Sequence, residues 1–239
     1  MARDQAFCFY YQENLRLMEE LGAELVFFQP SFGSGKLSPK AGTGLPCFGG
    51  RISGKIFAKE LSENRQMLNS VRQAYRRGKQ ILAECGGFLY LHRLLEGADG
   101  KEYELAGLVD ASAYRTNRLS RFGYIELEGP DGETIKGHEF HYWETQLEGG
   151  DWIARKPLSD RSWRCMVQTD TLLCGFPHLY YPSNEGWLKK MAASGSREED
   201  FAVTEEQEKL EERELTNWLL GRLAKISERT GAGLGPKTL

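Results

Sequence analysis

The segment that most constrains the fold of this chain is residues 81–91, ILAECGGFLYL. A short apolar run predicts a buried strand, and the apolar residues after the glycines predict a helix that follows without a linker. Such a tight turn strains the residue at its apex, so small residues must follow, and Gly86 and Gly87 supply them. This layout is the nucleophile elbow of α/β enzymes, with Cys85 as the candidate nucleophile. The alternative is a buried cysteine at a strand end, beside glycines used for helix packing.

The first part of the chain alternates helical and strand-like segments. Residues 12–22 and 61–77 have the apolar spacing of amphipathic helices, the second with Ser62 as its cap. Residues 23–28, AELVFF, predict a strand, and residues 88–95, FLYLHRLL, predict a helix. This alternation is typical of a parallel sheet covered by helices.

Beyond Gly97 the pattern changes to short β segments separated by turn residues. This predicts an antiparallel extension, or a return to the edge of the main sheet. Residues 198–214 hold nine acidic and two basic residues, which marks a further change of composition. We therefore predict a main domain over residues 1–192 and an acidic helical tail over 193–239, with a disordered end.

Composition excludes several classes of protein. Hydrophobic residues make up 40%, charged residues 27%, and the net charge is -3, so no single-sign field indicates nucleic acid or a membrane surface. No apolar run reaches the roughly 18 residues of a membrane helix, and a signal peptide's apolar core is missing, so we expect a cytoplasmic protein. The five cysteines show no CxxC spacing, which indicates neither a disulfide framework nor a metal site.

A cysteine nucleophile needs a base that accepts and returns a proton, and the four histidines are the candidates. His92 is predicted to lie on the surface of the helix after the elbow. Strand alternation in GHEFHYW puts Glu139 and His141 on one face and His138 on the other. His178 lies in the turn GFPHLYYPSN, from which a base can project into a site. The residues alone favour His178 only slightly over His141.

Several segments occur in the order seen in one family. They include ARDQAFCFYYQENL (2–15), ILAECGGFLYL (81–91), NRLSRFGYIE (117–126), GHEFHYW (137–143) and HLYYPSN (178–184). Over roughly residues 2–192 the chain resembles the C-terminal glutaminase domain of the cobyrinic acid a,c-diamide synthase family, which includes relatives that amidate nickel-sirohydrochlorin. The resemblance implies an α/β, flavodoxin-like class I glutamine amidotransferase domain with a parallel central sheet and a Cys–His pair without an obvious third acid.

The resemblance also implies a mechanism. Cys85 would attack the side-chain amide of glutamine, releasing ammonia and leaving a γ-glutamyl thioester that water hydrolyses. His178 matches the family's histidine and would shuttle the protons. The backbone N–H groups of Gly50 and Gly86 are the expected donors to the oxyanion.

Two arginines are candidates to hold the α-carboxylate of glutamine, Arg118 and Arg121 in NRLSRFGY. A carboxylate suits the planar cationic fork of arginine, which lysine does not provide. The alternative is that both are surface arginines in a basic stretch.

In this family ammonia passes to an N-terminal P-loop synthetase domain that uses ATP and magnesium to amidate a corrinoid ring. No G-x-x-x-x-G-K-[ST] motif occurs in this sequence, and GSGK at 33–36 is too short. The resemblance therefore implies no cofactor on this chain, with ATP and magnesium on a separate synthetase domain or subunit. The tetrapyrrole would bind mainly to that partner.

Three departures from the family pattern support a second hypothesis. The chain begins at Met1, inside a strand that is longer in the family. Arg51 replaces a glycine of the loop near the thioester, and Pro46 is expected to remove one ladder hydrogen bond from the preceding strand. The alternative function is therefore a catalytically impaired remnant or a partner-binding module. A third possibility, an unrelated cysteine hydrolase, is disfavoured by RFGY and GHEFHY.

Overall fold

The structure, a computed structural model, describes residues 1–31, 45–50 and 57–195. Its helices are α1 (Gln12–Glu20), α2 (Ala58–Glu63), α3 (Arg65–Arg76), α4 (Gly86–Leu91) and α5 (Glu185–Gly195). Its strands are β1 (Cys47–Gly50), β2 (Ile81–Cys85), β3 (His92–Glu96), β4 (Glu102–Glu104), β5 (Val109–Arg115), β6 (Arg121–Glu128), β7 (Thr134–His141), β8 (Trp143–Thr145), β9 (Trp152–Arg155), β10 (Ser162–Cys165), β11 (Val167–Gln168), β12 (Leu172–Gly175) and β13 (His178–Tyr180). A 3₁₀ turn over Tyr181–Ser183 precedes α5.

The predicted parallel central sheet is confirmed. Its strand order is β1-β2-β12-β11, with β2 parallel to both β1 and β12, and β11 antiparallel at the edge. All five residues of β2 are buried, as expected for a strand covered on both faces. The register pairs Gly50 with Cys85 and Gly175 with Glu84, so the carboxyl ends of three strands meet at one edge.

The strand predicted over residues 23–28 is wrong in extent, because only an isolated parallel bridge joins Ala2 to Phe28. The Ala2 N–H donates to the Cys47 carbonyl at 2.9 Å, so the N-terminal segment runs beside β1. Pro46 lies before β1 and not within it, and its carbonyl accepts a hydrogen bond from the Leu82 N–H at 3.0 Å. The strand that was predicted to contain Pro46 therefore begins one residue later, at Cys47.

The single helix predicted over residues 61–77 is divided into α2 and α3. Asn64 ends α2, and its side-chain oxygen accepts from the Met67 N–H at 3.2 Å, which caps α3. The cap predicted at Ser62 is wrong, because that hydroxyl donates to the Lys59 carbonyl of the preceding turn.

The helix predicted over residues 88–95 ends at Leu91, and the chain continues directly into β3. This strand pairs with β4 and β5, and that tertiary pairing overrides the local helical pattern. His92 is fully buried, with Nδ1 2.8 Å from the Phe88 carbonyl oxygen and Nε2 2.7 Å from the Thr145 hydroxyl. The predicted surface position of His92 is therefore wrong.

Two more sheets follow, of which the five-stranded sheet is antiparallel throughout and confirms the predicted antiparallel extension, whereas the four-stranded sheet is mixed because β3 and β5 are parallel. A four-stranded sheet has the order β4-β3-β5-β8, and a five-stranded sheet has the order β10-β9-β6-β7-β13. In the five-stranded sheet, buried and exposed side chains alternate along β6: Ile125 and Leu127 are buried, whereas Phe122 and Tyr124 are exposed. Its buried face belongs to a core that also contains residues of α1, α5 and the central sheet.

Parts of the sequence analysis fall outside the described residues. These are GSGK at 33–36, Arg51 and nearly all of the acidic tail. Helix α5 runs three residues past the domain boundary placed at residue 192, and the two-part division stays a prediction. Among the described residues, no helix is both long enough and apolar enough to span a membrane.

The burial of His92 predicts a pH dependence of stability. Burial lowers the pKa of His92 to about 4, whereas the pKa of a histidine in the unfolded chain is about 6.5. Between these two pKa values the unfolded chain binds a proton at His92 that the folded chain excludes. The contribution of His92 to the free energy of unfolding is therefore complete above about pH 6.5 and is lost as the pH falls towards 4. We expect His92→Gln to flatten this dependence by up to about 1.4 kcal/mol per pH unit, measured by urea unfolding between pH 7.5 and 5. An identical pH slope in the variant would contradict the assignment.

Candidate active site

The sharp turn predicted at Cys85 is present between β2 and α4. Cys85 has φ 48 and ψ -101, and only Met166 among the other described non-glycine residues has a positive φ. Such a conformation costs on the order of 1–3 kcal/mol and persists only where the surroundings enforce it. Strand β2, buried between β1 and β12, holds the backbone on one side, and the buried helix α4 holds it on the other.

Glycine is required on the helix side of this turn. A Cβ on Gly87 would lie 1.9 Å from the carbonyl oxygen of Phe48, so α4 begins in direct contact with the backbone of β1. Gly86 follows Cys85 in the chain, and Gly50 lies opposite Cys85 in the parallel register. Both predicted oxyanion donors therefore lie beside Cys85.

Tyr10 fixes the strand that carries Gly50. Its hydroxyl accepts a hydrogen bond from the Gly49 N–H at 3.0 Å and donates to the Ala2 carbonyl. A Cβ on Gly49 would lie 2.4 Å from the Tyr10 ring, so this contact also requires glycine. Sequence reasoning missed this role, because nothing in the aromatic run FCFYY distinguishes Tyr10 from its neighbours.

His178 follows β12 through a two-residue turn and begins β13. Its Nδ1 lies 3.8 Å from Glu84 Oε2, beyond hydrogen-bond range, and has no hydrogen-bond partner among the described residues. The pKa of His178 is lowered to about 3, mainly by burial and to a smaller extent by the neighbouring His138 and His141. The ring is therefore uncharged near pH 7, and its burial opposes protonation.

Glu84 directly precedes Cys85 and is buried. Its Oε1 accepts a hydrogen bond from the Tyr181 hydroxyl at 2.9 Å. Burial raises the pKa of Glu84 to about 8, against the opposing effect of hydrogen bonds from Tyr181 and the Leu179 backbone. Glu84 and His178 thus meet as two mainly neutral groups near pH 7, not as an ion pair.

Sequence reasoning did not identify this acid. The signal was present, because Glu84 is the one acidic residue in the apolar strand ILAEC, directly before the candidate nucleophile. An acidic side chain in a fully buried strand requires a partner, and the partner comes from a segment almost 100 residues later in the chain.

The structure separates the two candidate histidines. His178 pairs in register with His138 across β13 and β7, and their rings stack at 6.4 Å, so both lie on one face of the sheet. His141 lies on the other face with Glu139, as the alternation predicted, and stacks on Phe176 at 3.9 Å. His178 is therefore the histidine that approaches Glu84, beside the candidate nucleophile.

Arg121 and Glu139 line a cavity of about 240 Å³ on the His141 face. The Arg121 guanidinium lies over the Trp163 ring at 4.6 Å, and its Nε is 3.8 Å from Glu139 Oε2. That carboxylate oxygen and His141 Nε2 have no hydrogen-bond partner among the described residues. Arg118 is exposed and does not line this cavity.

Two aromatic residues connect this cavity with the elbow. Phe88 is three residues after Cys85, Phe176 is two residues before His178, and both line the cavity. Their ring centroids are 5.1 Å apart. The cavity therefore extends from Arg121 to the first turn of α4.

Three of the other cysteines are buried, as expected for small hydrophobic residues. Burial raises the pKa of the Cys47 and Cys165 thiols to about 12, and it raises the pKa of the Cys174 thiol as well. These thiols remain protonated near neutral pH. Within the described ranges, no group of three or more histidine, cysteine, aspartate or glutamate residues could hold a metal ion.

The chain is similar to one known family in sequence and to a solved structure in fold. A family model described as a CobB/CobQ-like glutamine amidotransferase domain matches residues 1–179. A crystal structure of a glutamine amidotransferase has a similar fold, with a TM-score of 0.53 at 16% identity, covering 78% of this chain and 94% of that one.

Curated relatives are named cobyrinate a,c-diamide synthase. The protein of Fusobacterium nucleatum is 39% identical over 186 residues, covering 76% of this chain and 41% of the relative. The proteins of Caldanaerobacter subterraneus and Listeria innocua are 37% and 35% identical, covering 77% and 82% of this chain but 42% and 44% of their own lengths. The chain thus spans less than half the length of these relatives.

Proposed function

Because the chain belongs to the CobB/CobQ-like glutamine amidotransferase family, we propose that it hydrolyses the side-chain amide of glutamine with Cys85 as the nucleophile. The observation that carries the proposal is the strained backbone of Cys85 at the strand–helix turn. A non-glycine residue in this conformation needs a reason, and presenting a reactive side chain at the open end of a strand is one.

In the proposed reaction His178 acts as base and then as acid. Its neutral ring takes the proton of the Cys85 thiol, and the thiolate attacks the amide carbon of glutamine. Proton return from His178 to the leaving nitrogen releases ammonia and leaves the γ-glutamyl thioester. A water molecule, deprotonated by the same ring, hydrolyses the thioester and yields glutamate.

The oxyanion of each tetrahedral intermediate would be held by the backbone N–H groups of Gly50 and Gly86. This placement is supported by the register of β1 and β2, which puts one glycine opposite Cys85, while the other follows it. Backbone donors fixed in this way stabilise developing charge without reorganisation, which is the usual basis of an oxyanion hole.

Glu84 would act as a positioning residue for His178. Its position is fixed by Tyr181, and its Oε2 faces the unpartnered Nδ1 of His178 at 3.8 Å. A positive charge on His178 would lower the pKa of this carboxyl group, so that its proton passes to solvent and the carboxylate stabilises the imidazolium by charge. A neutral resting pair avoids the cost of two buried charges before substrate binds.

The cavity supports Arg121, in preference to Arg118, as the residue that binds the α-carboxylate of glutamine. Arg121 offers its guanidinium at the cavity wall, and the Glu139 carboxylate beside it suits an α-ammonium group. Phe88, in the first turn of α4, also lines the cavity, which supports a substrate that runs from Arg121 towards Cys85.

The ammonia would serve an ATP-dependent amidation. The relatives named cobyrinate a,c-diamide synthase are more than twice as long as the part that this chain matches. Their name and their additional length support a separate synthetase half that acts on a corrinoid or related tetrapyrrole. ATP and magnesium would bind to that half. The alternative, an impaired remnant, depends on Arg51, which lies outside the described residues.

Replacement of the nucleophile tests the function. Cys85→Ser should abolish glutamine hydrolysis, because a serine alkoxide forms far less readily than a thiolate near neutral pH. Cys8→Ser, at an exposed cysteine, is the matched control and should keep the parent rate of ammonia release. Activity above a few per cent in Cys85→Ser would exclude Cys85 as the nucleophile.

The two buried histidines should differ in their effect on catalysis. We expect His178→Ala to lower kcat by a factor on the order of 10²–10⁴, the usual range for a positioned acid–base group. His141→Ala should have the smaller effect, because its ring lies on the other face of the sheet. Steady-state assays of ammonia release measure kcat for both variants. A larger loss of kcat in His141→Ala than in His178→Ala would make His141 the acid–base group.

Arg121→Lys should raise the KM for glutamine severalfold with little change in kcat, because lysine cannot form the bidentate contact with a carboxylate. Arg118→Lys, at an exposed arginine, serves as the control and should keep the parent KM. A thermal melt of each variant checks the fold, and an unchanged KM in Arg121→Lys would remove this arginine from the substrate site.

A further inference from the structure

The five-stranded sheet exposes a group of aromatic side chains on its outer face. This aromatic face consists of Phe122 and Tyr124 on β6, Phe140 on β7 and Tyr142 after it. Phe122 is 63% exposed and Tyr124 is 77% exposed. Neighbouring rings touch, with centroid distances of 5.9 Å for Phe122–Phe140 and 5.7 Å for Phe140–Tyr142. Contiguous exposed apolar surface of this kind marks interaction sites.

Strand alternation explains why these rings face outwards but not why they are aromatic. Positions 122, 124, 126 and 128 of β6 all point to the outer face. Glu126 and Glu128 occupy the last two positions, as expected for a solvated face, whereas the first two carry large aromatic rings. The outer face is thus polar at one end and aromatic at the other, and the aromatic end needs its own explanation.

The aromatic face adjoins the proposed catalytic histidine. His138 contacts the rings of Phe122 and Tyr124, at 6.1 Å and 6.0 Å, and stacks on His178 at 6.4 Å. The exposed ring of Phe9 also contacts His178, at a centroid distance of 4.6 Å. Rings therefore continue from the outer face of the sheet to the residue that would return the proton to ammonia.

We propose that the aromatic face is the docking surface for the synthetase half, an inference that rests on the proposed glutaminase function. Ammonia released into water at neutral pH takes up a proton and ceases to be a nucleophile, so the half that uses it must cover the surface beside His178. The relatives supply such a half, since more than half of their length lies outside the match to this chain. Exposed aromatic residues are the side chains that dominate the energetics of such interfaces.

The test uses this chain and the part of the Fusobacterium nucleatum relative that it does not match, expressed as a separate polypeptide. The variant Phe122→Thr/Tyr124→Thr removes two rings and keeps a residue that favours strands. Leu158→Thr, at a 98% exposed leucine outside the aromatic face, is the matched control. Light scattering after size exclusion and titration calorimetry measure the complex with each chain.

We expect the parent chain and Leu158→Thr to bind with equal affinity, and the double variant to bind at least tenfold more weakly. Ammonia release by the free double variant should equal that of the free parent, whereas stimulation by the synthetase half with ATP and cobyrinate should be lost. Should the double variant lose its thermal transition, the single variant Tyr124→Thr, at the most exposed ring, replaces it.

Equal affinity of the double variant and the parent would overturn the proposal. So would a parent chain that hydrolyses glutamine but forms no complex with the synthetase half; this result would leave the glutaminase function intact. Failure of the function itself has a different signature, namely a parent chain that binds the half but releases no ammonia, alone or in the complex.

Discussion

The pairing of β2 between β1 and β12 is the constraint on which the candidate site depends. It places the carboxyl ends of three strands at one edge and forces the chain to turn at Cys85 into α4. Ligands of open α/β sheets bind at this edge because the loops and side chains of several strands converge there. Burial of all five β2 residues supplies the free energy that offsets the strain at Cys85.

Burial also sets the charge states around the elbow. Glu84 and His178 lie too deep to carry opposite charges at little cost, so the carboxyl keeps its proton and the imidazole remains uncharged. A neutral histidine can accept a proton, and a carboxyl group near it can then balance the new charge. The same burial opposes protonation of His178, so in the proposed reaction the imidazolium would depend on the neighbouring Glu84 carboxylate for its stabilisation.

The two faces of the five-stranded sheet would serve different purposes in the proposed enzyme. The face with Arg121 and Glu139 lines a cavity suited to the zwitterionic head of an amino acid, whereas the face with His138 continues into exposed aromatic rings. Because successive residues of a strand point to opposite faces, one strand pair can contribute to substrate binding and to partner docking. His178 lies on the edge strand β13 of this sheet and approaches Glu84, the residue before the proposed nucleophile.

The sequence by itself determined the elements whose signals are local. The run ILAECGG fixed the elbow, because only a buried strand and small residues allow such a turn, and the alternation in GHEFHYW fixed the faces of Glu139 and His141. It failed where distant pairing competes with a local pattern. Residues 92–95 were predicted to continue the helix but belong to β3, because β4 and β5 pair with them. Only the tertiary structure brought Tyr181 and His178 to Glu84, since hydrogen bonds and burial between segments so far apart leave no periodic signal in the chain.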